Sequence, residues 1–174
     1  MVNQMGARFL EHPVIRRFVI RFLAVFGIVQ LSMRVLPLES FQKWLTQTVS
    51  AWMQIPFAGA YIPFEGGVFY VSPECTGLTS VGIFLALLLG FNVPSAKKKV
   101  MWGVGGGLGL LVLNVVRVGG VVSVGQTYGA SAAEFVHILS WFLMTLVAVG
   151  MWYWLLAKEM KAESPVDLAE KLLH

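Results

Sequence analysis

The chain has one cysteine, Cys75, among 174 residues. A lone cysteine cannot close an internal disulfide, which leaves packing, metal binding or thiolate chemistry. Charge is also scarce. Only 13% of the residues are charged, against roughly 25% in soluble domains. With 57% hydrophobic residues, that deficit excludes an ordinary soluble domain. The net charge of +4 does not indicate nucleic-acid binding, because the basic residues sit where membrane topology requires them. No internal repeat is evident, and the prolines and glycines punctuate ordered structure without forming low-complexity tracts. The length suits a single transmembrane domain over residues 1–174.

What is present is four apolar stretches, at about 18–36, 76–93, 100–124 and 135–157, each near the roughly 20 residues that a membrane helix needs. The first contains Arg21 and Arg34, which are expected to snorkel to opposite faces. Its long charged leader and the lack of a small-x-small site after it predict a retained span rather than a cleaved signal peptide. The expected fold class is an all-α membrane protein, a bundle of about four transmembrane helices.

Lysine and arginine placement predicts the orientation. Arg8, Arg16 and Arg17 precede the first span, Lys97, Lys98 and Lys99 lie between the second and third, and Lys158, Lys161 and Lys171 follow the fourth. The opposite side has only Lys43. The expectation is a multi-pass plasma-membrane protein with both termini and the tail 158–174 in the cytoplasm. The outer side then holds residues 37–75 and a turn from Gly125 to Glu134, with Glu39, Glu65, Glu74 and Glu134.

Within the outer segment, Leu38, Phe41, Leu45, Val49 and Trp52 recur at helical spacing, with Gln42, Lys43 and Gln47 on the other side. Together with Trp44 this predicts an amphipathic helix lying in the outer interface. From Pro56 to Pro73 the chain is expected to be irregular, with a short extended piece at Gly67–Val71. In the third span, Gly103 with Gly107 and Gly105 with Gly109 have the spacing that lets membrane helices approach closely. A nucleotide loop is not indicated there, because no strand precedes the run.

This topology brings three groups to one level. Cys75 begins the second span on the outer side and His137 begins the fourth. Arg117 lies 18 residues beyond Lys99, roughly 27 Å along a helix at about 1.5 Å per residue. Asn114 shares its helix face. Each residue has a plainer reading. Cysteine is often a small buried apolar residue, arginine snorkels to headgroups, and a single histidine can cap a helix. Glu134, three residues before His137, either orients its ring or is a solvated carboxylate. Glu74 reads as an exposed neighbour, Thr76 and Ser80 as packing residues, and His12 and His174 as solvated. Two good ligands, Cys75 and His137, fall short of the four of structural zinc, so no metal and no cofactor is expected.

Cys75-Thr76-Gly77, then Asn114-Val115-Val116-Arg117, then His137, in successive apolar spans, resemble the archaeosortase/exosortase family. The resemblance covers about Val71 to Trp154 and suggests a short form of that family. It implies a membrane-embedded cysteine protease and transpeptidase with Cys75, Arg117 and His137 as the catalytic residues. Its partners would be exported proteins with a C-terminal motif, a transmembrane helix and a basic tail, and a membrane lipid is the expected acceptor.

The residue chemistry fits such an activity. Only the thiolate is a strong nucleophile, and the permanent charge of Arg117 would favour it. His137 would move the proton. Arg117 and a backbone N–H near Gly77 would meet the oxyanion. Asn114 would orient Arg117, bind substrate or bond between helices. Two other classes remain: a small membrane transporter lined by Asn114 and Arg117, and a non-catalytic assembly subunit that would tolerate loss of Cys75.

Overall fold

The computed structural model of the chain describes residues 12–64 and 67–173; Arg8, Glu65, Gly66 and His174 lie outside them. Helix α1, Pro13–Val35, starts with proline in its first turn, where no N–H is needed. It stops at Leu36, which precedes Pro37 and is extended, as the proline ring requires. Helix α2, Glu39–Met53, ends at Gln54 in the left-handed region, φ 57°. Strands β1, Tyr61–Phe64, and β2, Gly67–Tyr70, form an antiparallel hairpin in which Tyr61 faces Tyr70 and Pro63 faces Val68. A 3-10 turn, Pro73–Thr76, leads into α3, Leu78–Gly90. Helices α4, Ala96–Tyr128, α5, Ala130–Met160, and α6, Pro165–Leu173, complete the chain.

Among the described residues, three helices are long and apolar enough to cross a membrane: α1, α4 and α5. Helix α3 is apolar but has 13 residues, about 20 Å at 1.5 Å per residue, against a hydrocarbon core of about 30 Å. The stretch expected to span from 76 to 93 is therefore helical over a shorter length. Gly77, with φ 80°, opens the helix, and Pro94 holds Val93 away from helical geometry. The protein is a mostly helical, multi-pass membrane protein. The β-hairpin is an addition to the expected all-α architecture, and it includes the piece anticipated as extended.

Two expectations are corrected. The outer turn from Gly125 to Glu134 is absent as a loop, because α4 continues to Tyr128 and α5 starts at Ala130. Only Gly129 separates them, with φ 84°, a backbone angle that glycine adopts without steric cost. The second correction concerns α2. Its buried residues are Gln42, Leu45, Thr46, Val49 and Ser50, whereas Trp44 and Trp52 are exposed. Gln42, assigned from periodicity to the polar side, is 4% exposed. Its amide donates to the Val71 carbonyl at 2.7 Å and to the Tyr70 hydroxyl at 3.2 Å. Those bonds offset the cost of burying it.

The helices meet at small residues. A Cβ at Gly82 would lie 2.7 Å from the Val29 side chain of α1, and one at Gly106 would lie 2.6 Å from Phe84 of α3. Gly103 and Gly107 face Leu85 and Val81, as close helix packing requires. Gly105 and Gly109 face nothing within 4 Å, so that glycine pair makes no helix contact. At one end of the bundle Lys98 pairs with Glu159 at 2.7 Å. Near that end, Arg21 bonds Asn92 at 2.5 Å, so its charge has a protein partner as well as any headgroup. At the other end Leu45, Val49, Ile62, Val71, Val118 and Val122 form a core with Cys75. A second core is built on Phe84, Leu88, Leu110, Met144 and Ala148.

Replacing Gln42 by alanine strands the Val71 carbonyl in that first core. The expected loss is about 1–3 kcal/mol, the cost of a buried polar group without a partner. Thermal unfolding in detergent should show a lower midpoint for Gln42→Ala than for the exposed control Gln47→Ala.

Candidate active site

Cys75 lies in the 3-10 turn and is 2% exposed. The turn is closed by the Cys75 N–H donating to the Ser72 carbonyl at 2.9 Å. The Thr76 hydroxyl donates to the Pro73 carbonyl at 2.5 Å, which assigns Thr76 to holding the turn. Ser72 Oγ lies 3.5 Å from the Cys75 sulfur. Gly77 must be glycine for two reasons. Its φ is 80°, and a Cβ there would lie 2.7 Å from Asn114 Cγ.

Asn114 is 1% exposed and uses both ends of its amide. Its N–H donates to the Cys75 carbonyl at 2.7 Å, and its oxygen accepts from Arg117 Nη1 at 3.2 Å. A carbonyl only accepts and a guanidinium only donates, so the amide has one possible orientation. Of the roles expected for Asn114, the structure shows it bonded to Arg117 and to the turn before the next helix.

Arg117, one helical turn along α4, is held at every nitrogen. Nε donates to Ser140 Oγ at 2.9 Å, and Nη2 lies 3.3 Å from His137 Nδ1 and 3.4 Å from the His137 carbonyl. Ser140 in turn donates to that carbonyl at 2.9 Å. Among the described residues no carboxylate pairs with Arg117. This is a half-buried cation without a counter-ion among the described residues. Because Arg117 can only donate, the facing Nδ1 of His137 accepts, and a neutral ring then carries its proton on Nε2. Phe69 from β2 packs edge-to-face with the His137 ring, with centroids 5.9 Å apart.

A cleft of about 280 Å³ opens beside these groups, with Cys75, Ser72, Glu134 and His137 in its lining. Glu134 is exposed at its mouth and, among the described residues, makes no hydrogen bond to His137. Glu74 points away from the core. A hydrogen bond from Ser72 holds its carboxyl below the ordinary value. No group of three or more metal-binding side chains occurs among the described residues.

The structure thus brings together Cys75, Asn114, Arg117 and His137, with Thr76 and Gly77 shaping the turn and Glu134 at the rim. Gln42, Ser72 and Ser140 support the same cluster and were not singled out from sequence. The polar helix face hid Gln42, and Ser140 lies inside a long apolar run. Its spacing of three from His137 was the available signal.

A multi-pass membrane protein with a thiol, a guanidinium and an imidazole gathered at one end of its helices is the class that these features define. A family model described as transmembrane exosortase matches residues 4–154, and the chain belongs to that family. No curated protein and no solved structure matches it significantly.

Glu74 gives a test of the turn. A carboxyl held below its ordinary value stabilises the fold above that value, 4.5, and the contribution fades as pH falls through the folded-state value. Wild type should therefore exceed Glu74→Gln in unfolding midpoint near pH 7, with the gap closing as the pH is taken down below 4.5. A gap that widened on acidification would contradict this hydrogen bond.

Proposed function

We propose that the chain is a cysteine peptidase and transpeptidase that processes C-terminal sorting signals of exported proteins. One observation carries this reading: Asn114 ties the Cys75 turn to Arg117, and Arg117 in turn holds His137, beside an open cleft. A cation with no carboxylate partner among the described residues is suited to an anion that exists only during reaction.

In this reading Cys75 Sγ bonds to the scissile carbonyl carbon, and negative charge gathers on the carbonyl oxygen. Arg117 swings from His137 Nδ1 to that oxyanion. The same movement frees Nδ1 to take the thiol proton, which then passes to the departing amine as the C–N bond breaks. The thioester left on Cys75 is opened by a nucleophile of a membrane lipid or another anchor, or by water. No cofactor enters the sequence of steps.

The membrane arrangement follows from the charges. Both termini are cytoplasmic, and the site lies at the outer face of the plasma membrane. Helix α3 with its flanking residues supplies the fourth crossing, and α2 lies along the outer interface. The substrates are exported proteins ending in a short motif, a transmembrane helix and a basic tail. A reporter fused after Lys98 is expected to be cytoplasmic, and one inserted near Gly66 to be external. External activity at Lys98 would invert the arrangement and place the site on the wrong side for exported proteins.

Substitution separates the roles. Cys75→Ala should abolish processing, since no second cysteine exists. His137→Ala should slow it about 10²–10⁴-fold, the usual worth of a general acid–base group. Arg117→Lys keeps the charge but loses the planar fork, and a lost oxyanion donor costs about 10²–10³-fold. The measurement is cleavage of co-expressed precursors in membranes, with enzyme abundance checked by blotting. Full processing by Cys75→Ala at normal abundance would remove the enzyme reading.

A further inference from the structure

The β-hairpin has two edges, and among the described residues only one is covered. On the β1 side, Ala58 N–H donates to the Tyr61 carbonyl at 2.9 Å and Tyr61 N–H to the Ala58 carbonyl at 3.0 Å. The backbone groups of Tyr61 therefore point away from β2. The neighbouring step confirms the phase, because Val71 N–H donates to Ala60 across the hairpin at 2.9 Å. Opposed residues in an antiparallel ladder alternate between bonded and non-bonded pairs. Tyr61 with Tyr70, and Pro63 with Val68, are thus the non-bonded pairs, which suits a proline that has no N–H to give. It follows that the N–H and C=O of Val68 and Tyr70 project from the free edge of β2.

That edge lines the cleft. Val68, Phe69 and Tyr70 all contribute to its wall, whereas β1 contributes only Phe64 at the hairpin end. The facing wall is the first turns of α5, where Ala130 and Ala133 leave room, and Ser72 and Cys75 lie where the strand runs out. Val68 and Tyr70 are 60% and 47% exposed.

We propose that β2 is the substrate-binding edge: the segment beside the scissile bond adds to it as a third strand, bonded to the backbone of Val68 and Tyr70, and is thereby led to Cys75. This rests on the peptidase reading above. The occupant is an extended polypeptide, because only an extended backbone offers alternating donors and acceptors at strand spacing. A helix cannot dock there, since its backbone groups bond one another. The substrate is therefore unwound at the cut, and affinity comes from its main chain while the side chains of alternate residues enter the cleft.

The test uses the full chain in detergent and a panel of acetyl-tripeptidyl chloromethyl ketones that differ in side chains, with iodoacetamide as the non-peptide electrophile. Mass spectrometry follows the adduct on Cys75. At least one peptidyl reagent should label with saturation. Its rate should fall about fivefold with Val68→Pro, and about fivefold when the central amide of the reagent is N-methylated, since each change removes a hydrogen bond worth about 1 kcal/mol. Iodoacetamide should label wild type and Val68→Pro alike. Proline is admissible at position 68 because the N–H there serves no bond within the hairpin. If Val68→Pro also alters iodoacetamide labelling, the N-methylated reagent on wild type decides alone.

Saturable labelling indifferent to N-methylation overturns the strand edge, as does the absence of saturable labelling with every peptide. Neither result touches the enzyme reading, which stands or falls on precursor processing by Cys75→Ala.

Discussion

The Asn114 amide is the contact on which the rest of the site depends. It is buried between a carbonyl in the Cys75 turn and a guanidinium on its own helix. In a medium without water, each of those groups would otherwise need another partner, and an unmet polar group costs several kcal/mol there. The requirement fixes three things together. The Cys75 turn must close against α4, Gly77 must lack a side chain to allow it, and Arg117 must present its remaining nitrogens to α5. A residue that looks like structural glue thus sets the geometry of every candidate catalytic group.

Around that contact, polar groups are arranged in two tiers. Ser140 occupies Arg117 Nε and the His137 carbonyl, and so fixes the guanidinium against α5. Gln42 reaches from α2 to Val71, just ahead of the turn. Both tiers secure backbone as well as side chains, which keeps an irregular segment ordered between helices. The irregular backbone lies where it is covered by protein and lines a cleft, the setting in which membrane proteins tolerate it.

Much of this was legible in the sequence, and for physical reasons. Apolar length marks the long helices α1, α4 and α5, and the spacing from Lys99 to Arg117 brings a charge to the level of Cys75. The positions of Gln42, Ser72 and Ser140 were not legible. Helix α2 buries a half-polar face, so hydrophobic periodicity points its inward side toward the tryptophans instead. A serine in an apolar run gives no sign of which helix it will meet. The joint at Gly129 was also hidden, because a single left-handed glycine leaves no polar cluster to mark a turn. The hairpin was only partly visible, as its strands are 4 residues each.

The joint at Gly129 has a consequence for the size of what can approach. Helix α4 has 33 residues, about 50 Å, well beyond a hydrocarbon core of about 30 Å. Arg117 lies 11 residues before its end at Tyr128, about 17 Å below the tip. Since α5 turns back at once, the two helices form a rigid parapet beside the cysteine. Under the peptidase activity proposed above, a protein approaching over that rim would need a loose tether of about five residues, at roughly 3.3 Å each, between its folded body and the bond to be broken. In that reading the parapet would act as a ruler, selecting clients by the slack in their chain before any side chain is inspected.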